Sequence, residues 1–145
     1  MNDSILASYV VPVHPHPLLV PEQNEGWQRL RDAFDEARDQ IAASDADLII
    51  VYSTTWPSII GHQIQADPNP TWTLVDQDFH DLGSMDYSFR IDVEFAEAWN
   101  KANHSRGLQS RTVAYNGFPI DVGSVVALKL LNPDNRIPAV IVSSN

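Results

Sequence analysis

A long amphipathic segment followed closely by a short apolar run constrains the fold of this chain more than any other feature. Residues 24–44 read NEGWQRLRDAFDEARDQIAAS, and their apolar residues recur every three or four positions, as on one face of a helix. Arg31 and Asp35 lie four residues apart on the charged face, so we expect their side chains to meet. Residues 47–53, DLIIVYS, are too short for a helix and typical of a strand covered on both faces.

A β-rich run from Ile5 to Val11 precedes the helix and ends at the proline-rich sequence PVHPHP. Prolines donate no backbone hydrogen bond, so a strand must end there and become a loop. Strand, helix and strand would together form a βαβ unit, whose two strands are expected to be parallel.

The rest of the sequence alternates short strands and helices. We predict strands at Thr71–Val75, Tyr87–Asp92, Thr112–Tyr115 and 137–145, and helices at Val93–Asn103 and Val125–Leu131. The alternation predicts an α/β fold, with residues 1–145 as one three-layer domain whose mostly parallel or mixed central sheet carries helices on both faces. Because the sequence stops on its last strand, we expect an open apolar sheet edge and association with another chain, either a copy of itself or a homologue.

Composition narrows the classes of partner. The formal net charge is −10, from 19 acidic and 9 basic side chains, which disfavours binding to nucleic acid or to an anionic membrane surface. The absence of cysteine excludes disulfides, thiolate metal sites and a cysteine nucleophile. The first residues show neither the charge pattern of a signal peptide nor a membrane span, so a cytoplasmic location is expected.

Histidines are the residues best able to carry chemistry here. His14 and His16 lie in the loop after the first predicted strand, but imidazoles two residues apart in an extended loop point to opposite sides and rarely bind one ion together. His62 follows a turn beyond the second predicted strand, and we place it on a surface helix. His80 has Asp78 and Asp81 beside it, and these carboxylates could orient its imidazole.

Other catalytic motifs are missing from the sequence. It contains no Gly-rich phosphate loop, no nucleophile elbow and no HExxH zinc motif. The exit of the second predicted strand, where α/β proteins often place a ligand or catalytic side chain, reads STTW at residues 53–56. The residues therefore predict a scaffold shaped like an active site but poor in reactive groups.

Several motifs together resemble the LigB-type, or class III, extradiol dioxygenases. They are the His/Pro loop, GWQRL, ADLIIVYS, DVEFAEAW and the final GFPIDVGSVVALKLLNPDNRIPAVIVSSN. The resemblance implies a LigB-like fold, short at its C-terminus, and a family that uses Fe(II) and O2 to open catechol-like rings. On VYSTTW, DFHDLGSMDYSFR and YNGFPIDVGS the chain is most similar to the non-catalytic alpha subunit of the aminophenol dioxygenases, whose partner is an iron-bearing beta subunit.

The resemblance also implies where the metal ligands would stand. Active members of the family hold Fe(II) with two histidines and a glutamate. His14 or His16 could stand at the first position, but the register puts Thr55 at the second. The family's Asp-His-Gly loop, which supplies a proton-transfer histidine, matches residues 121–123, where Val122 cannot transfer a proton. The glutamate belongs to a part of the family's fold beyond residue 145.

These departures predict a chain with no catalytic residue, metal or cofactor of its own. Its vestigial site positions would be His14, His16, Thr55, Asp121 and Val122. Such a chain would stabilise or complete an Fe(II)-bearing homologous subunit, its partner in an oligomer. Whether it is itself an enzyme is left open at this point.

Two alternatives stand beside this prediction. One is a divergent dioxygenase that holds Fe(II) with another pair of histidines and a carboxylate. Its candidate ligands are His14 or His16, His62 or His80, and Asp78, Asp81 or Asp121. The other is a self-associating protein that binds a small aromatic molecule on the same scaffold without catalysis.

Overall fold

A computed structural model describes residues 4–144 of the chain. The strands are β1 (Ile49–Ser53), β2 (His62–Gln65), β3 (Thr71–Val75), β4 (Ser84–Ser88), β5 (Ser110–Val113) and β6 (Ala139–Ser144). The helices are α1 (His16–Leu19), α2 (Glu25–Ala43), α3 (Val93–Ser105) and α4 (Val122–Leu131), with short 3-10 turns at Pro21–Gln23 and His80–Leu82.

The central sheet has four strands in the order β1-β6-β2-β5. Strand β6 runs parallel to β1 and antiparallel to β2, and β2 runs parallel to β5, so the sheet is mixed with mostly parallel pairs. Strands β3 and β4 form a separate antiparallel hairpin. This architecture confirms the predicted α/β class.

Helices cover both faces of the sheet, as predicted. Side chains alternate along β6, so Ala139 and Ile141 face one side and Val140 the other. The first side packs with α4 and with Phe34 of α2, and the second packs with Ala96 of α3. Strand β6 is buried from residue 139 to residue 143 because it lies between these two apolar layers.

Helix α2 confirms the clearest prediction from periodicity. Asn24 caps it, and the Asn24 side chain accepts a hydrogen bond from Trp27 N at 3.0 Å. Phe34 is its buried residue, and Arg31 and Asp35 form the predicted ion pair at 3.3 Å. The helix therefore forms where its apolar stripe can be buried, with the charges left on the outer side.

The predicted strand at Ile5–Val11 is wrong. Residues 4–14 form no helix or strand, and Ile5 and Val10 are almost fully exposed. A β-rich sequence forms a strand only when a neighbour completes its ladder, and the parallel neighbour of β1 is β6 instead. The predicted βαβ unit is therefore absent, although β1 does lie in a parallel pair.

The expectation of an open final strand is also wrong. Strand β6 lies inside the sheet, and the edge strands are β1 and β5. Association with another chain can therefore not be argued from β6. Strand β1 is not covered on both faces either, because Ile50 and Tyr52 are about half exposed.

The segment after β1 differs most from prediction. The predicted helix position of His62 is wrong, because His62 begins strand β2, whose polar sequence HQIQ gave no apolar pattern. Strand β4 begins three residues before the predicted Tyr87–Asp92, and α4 begins at Val122 instead of Val125. Predictions for β3, α3 and β6 are confirmed, and β5 overlaps its predicted range.

No helix within residues 4–144 is long and apolar enough to cross a membrane.

Candidate functional site

The carboxylate of Asp121 connects the end of β1 to the beginning of α4. Its Oδ2 accepts hydrogen bonds from Ser53 Oγ at 2.9 Å and from Thr55 Oγ1 at 2.7 Å. Asp121 is also the N-cap of α4, where Ser124 N donates to Oδ2 at 3.1 Å and Ser124 Oγ donates to Oδ1 at 2.6 Å. We call these four residues, Ser53, Thr55, Asp121 and Ser124, the Asp121 network.

The network sits in favourable electrostatic surroundings. The N-terminus of a helix carries partial positive charge, which stabilises the Asp121 carboxylate at the cap of α4. Ser53 and Ser124 are buried, whereas Thr55 is exposed and could also bond to water. The four hydrogen bonds together satisfy most of the acceptor capacity of one carboxylate.

Ser53 also shapes the loop that follows β1. Its Oγ accepts hydrogen bonds from Thr55 N at 3.1 Å and from Trp56 N at 2.9 Å, which closes a tight turn. The indole of Trp56 is buried in the core and donates from Nε1 to Pro119 O at 2.9 Å. The turn after β1 and the loop before α4 are thus held together by side chains from both.

The His/Pro loop packs its imidazoles against aromatic rings. His16 is buried, with its ring stacked on Trp27 at 4.4 Å between centroids and edge-on to Phe79 at 4.6 Å. His14 is exposed and lies 6.0 Å from the His16 ring. The His16 Nδ1 atom is buried and has no hydrogen-bond partner among the described residues. Both imidazoles therefore belong to an aromatic cluster.

Gly123 lets the His/Pro loop approach the network. A Cβ atom at this helical position would lie 2.9 Å from Val13 Cγ1, closer than carbon atoms normally approach. A larger residue here would therefore require the Val13 side chain to shift. Val122, on the first turn of α4, is half-buried and packs against the core cluster. The structure thus places Thr55, Asp121 and Val122 around one region and brings the loop containing His14 against it.

The side chains of this region do not fit a ferrous ion held by two histidines and a carboxylate. Within residues 4–144, no group of three or more histidine, aspartate or glutamate side chains could hold a metal ion. The Thr55 hydroxyl donates a hydrogen bond to Asp121 Oδ2. His62 lies on β2, where its Nδ1 is 3.4 Å from Gln109 O. The candidate set that adds His80, Asp78 and Asp81 does not converge either, and all three of these residues are exposed.

Comparison with known proteins identifies the family. Residues 5–145 match the family described as the catalytic LigB subunit of aromatic ring-opening dioxygenase. The chain belongs to the LigB family. The resemblance read from the sequence is therefore confirmed at this level.

Two relatives of the chain are subunits of a dioxygenase from Pseudomonas sp.. The beta subunit of 2-aminophenol 1,6-dioxygenase is 30% identical over 99% of this chain and 50% of the relative. The alpha subunit of 2-aminophenol 1,6-dioxygenase is 28% identical over 98% of this chain and 52% of the relative. The chain thus spans about half the length of these LigB proteins. Since the two identities are so similar, they do not separate an alpha-type from a beta-type chain.

Sequence reasoning quoted Ser53 only as part of the STTW motif and did not name Ser124. The spacing Asp-x-x-Ser from Asp121 to Ser124 is a helix-start pattern that could have revealed the second. Nothing local reveals the first, because Ser53 and Asp121 are 68 residues apart in the chain.

Proposed function

We propose that this LigB-family chain is a non-catalytic, iron-free subunit that stabilises or completes an Fe(II)-bearing homologous subunit. The observation that carries the proposal is the 2.7 Å hydrogen bond from Thr55 Oγ1 to Asp121 Oδ2. It stands at the position where the resemblance implies an iron-binding imidazole. The Thr55 hydroxyl donates a hydrogen bond to a carboxylate, whereas an imidazole at this position would direct a nitrogen lone pair at the metal.

The chemistry of the donors supports the absence of iron. An imidazole binds Fe(II) through an unshared nitrogen lone pair, whereas a neutral alcohol is a weak ligand. Asp121 already accepts three hydrogen bonds on Oδ2 and one on Oδ1, so a metal would have to compete with these bonds for the carboxylate. Val122 stands where the resemblance implies a proton-transfer histidine, and an aliphatic side chain carries no proton to transfer.

Two observations support a subunit role. The region of the proposed vestigial site is held together by side chains of this chain, since the Asp121 network joins β1 to α4. The two relatives are named as the beta and alpha subunits of 2-aminophenol 1,6-dioxygenase. Their names indicate that homologous chains of this family associate. We therefore propose a homologous catalytic chain as the partner, with a second copy of this chain as the other outcome of the test below.

Anaerobic reconstitution tests the catalytic half of the proposal. The chain is purified without oxygen, incubated with Fe(II), desalted and assayed for iron and for ring cleavage of 2-aminophenol. A LigB-family dioxygenase with both histidines is treated identically as the positive control. We expect substoichiometric iron and no product from this chain. Stoichiometric iron with turnover would contradict the proposal, and loss of that iron in His14→Ala, His16→Ala or His62→Ala would identify its ligands.

Sedimentation velocity tests the partner half. The chain is run alone and after co-expression with a homologous catalytic subunit. We expect one complex that contains both chains in the co-expressed sample. A well-behaved monomer in both samples would refute the subunit role, and a complex formed by this chain alone would show self-association instead.

A further inference from the structure

A cleft of about 500 Å³ lies at the start of β5 and shares no residue with the Asp121 network. Ile60 forms one wall, and residues 107–111 with His104 form the other. The cleft is shallow and widely open to solvent, so it could contact a small organic ligand on one side without enclosing it. It contains none of the positions that the LigB resemblance implies for metal or substrate.

Hydrogen bonds fix both walls of the cleft. Ser58 Oγ donates to Gly61 O at 2.7 Å, and His62 N donates to Gln109 O at 2.9 Å. Gly61 has φ +62°, and a Cβ there would lie 2.2 Å from Gln109 O, so only glycine allows this approach. On the other wall, His104 Nε2 lies 2.6 Å from Ser110 O. The cleft is therefore formed before any ligand arrives.

Arg111 supplies the charge of the cleft. Its guanidinium makes no ion pair with any carboxylate of residues 4–144, although the protein carries a net charge of −10. One nitrogen, Nη2, donates to Gln63 Oε1 at 2.9 Å, and Gln63 is itself held by Pro57 O at 2.9 Å. The Nε atom is buried, so a ligand in the cleft could reach only the Nη atoms, and Nη1 has no hydrogen-bond partner among residues 4–144. An oriented guanidinium with unused donors is the group that best recognises a carboxylate.

Apolar side chains complete the cleft. Ile60 and Leu108 line it and are 53% and 44% exposed, so both offer surface to a ligand. One ligand with an anionic and an apolar part could pair with the Nη side of the guanidinium and cover the exposed apolar side chains.

We propose that this cleft, which we call the Arg111 cleft, binds a small organic monocarboxylate whose body is aromatic or branched and apolar. Its carboxylate would accept from Arg111, and its body would lie against Ile60 and Leu108. The inference does not depend on the proposed subunit role, because it uses no residue of the Asp121 network.

Titration of the isotope-labelled full chain with benzoate, followed by NMR, tests this proposal. We expect saturable shifts of the amides of residues 104–111, with binding in the millimolar range. Benzamide, the neutral isostere, and acetate, which lacks the apolar body, should each bind about tenfold more weakly, the loss expected for one charge-assisted hydrogen bond or a small buried apolar surface. Equal binding of benzoate and benzamide, or of benzoate and inorganic phosphate, would overturn the proposal.

Variants assign the effect to the cleft. Arg111→Gln should weaken benzoate binding about tenfold, while Arg90→Gln, the same charge change at an exposed arginine, should leave it unchanged. If Arg111→Gln does not fold, Ile60→Glu places a carboxylate at an exposed position in the cleft and should also weaken binding. Equal effects of Arg111→Gln and Arg90→Gln, no effect of Ile60→Glu, or shifts centred outside residues 104–111 would each refute the assignment.

Discussion

Replacement of Asp121 by alanine should destabilise the protein far more than the loss of an ordinary helix cap. Asp121 both caps α4 and accepts hydrogen bonds from Ser53, Thr55 and Ser124. Asp92 offers a matched control, since it caps α3 but, among residues 4–144, its carboxylate accepts only from Phe95 N, at 2.9 Å. The difference in lost unfolding free energy between Asp121→Ala and Asp92→Ala therefore measures the contribution of the side-chain hydrogen bonds that Asp121 accepts in addition to its cap.

The expected magnitude follows from burial. Loss of a side-chain cap costs about 1 kcal/mol, which applies to both variants. Ser53 and Ser124 are buried, and each hydroxyl that loses a charged acceptor there costs about 1.5 kcal/mol. Thr55 is exposed, so water can replace its bond and its contribution is small. We therefore expect about 4 kcal/mol for Asp121→Ala and about 1 kcal/mol for Asp92→Ala.

Urea unfolding followed by circular dichroism measures these values. With a slope of about 2 kcal/mol per molar urea, the midpoint of Asp121→Ala should lie about 1.5 M below that of Asp92→Ala. The slope itself should not change, because neither substitution alters the surface exposed on unfolding. Midpoints that coincide for the two variants would refute the reasoning, since Asp121 would then act as a cap and nothing more.

Three further predictions concern packing and pH. Gly123→Ala should cost about 1–3 kcal/mol by overpacking against Val13, and the added change Val13→Ala should restore most of the loss in urea unfolding. Phe34→Ala should cost about 3–5 kcal/mol, whereas Phe95→Ala, at a partly exposed position, should cost much less in the same assay. Burial raises the pKa of the Tyr87 phenol above its ordinary value of 10.0. The folded state therefore keeps a proton that the unfolded chain loses, and stability should fall as the pH rises above about 10, less so in Tyr87→Phe. A fall of the same size in Tyr87→Phe would contradict that assignment.

The elements that sequence reasoning predicted well are those whose periodicity matches their burial. Helix α2 has an apolar stripe on its buried face, and β6 is an apolar run buried on both faces. The apolar positions in the sequence of each element therefore match the faces that are buried. Strand β2 was missed because two of its buried positions, Gln63 and Gln65, are polar. Gln63 is hydrogen-bonded to Pro57 and Arg111, and Gln65 Oε1 accepts from Asp67 N. No local pattern reveals such a strand.

The predicted strand at Ile5–Val11 failed for the opposite reason. Its residues favour β structure, but a strand also needs a neighbouring ladder, and propensity contains no information about the neighbour. The site shows the same limit. Thr55 and Asp121 could each be singled out from the sequence, but their hydrogen bond joins residues 66 positions apart and depends on the packing of α4 against β1.

Equilibrium dialysis of the anaerobic protein against Fe(II) tests the central claim most directly. We predict equal metal concentrations on both sides of the membrane, because the region around Thr55 and Asp121 offers a hydroxyl and a carboxylate that already accepts four hydrogen bonds in place of imidazoles. Retention of one equivalent of iron on the protein side, lost in His14→Ala or His16→Ala, would contradict it.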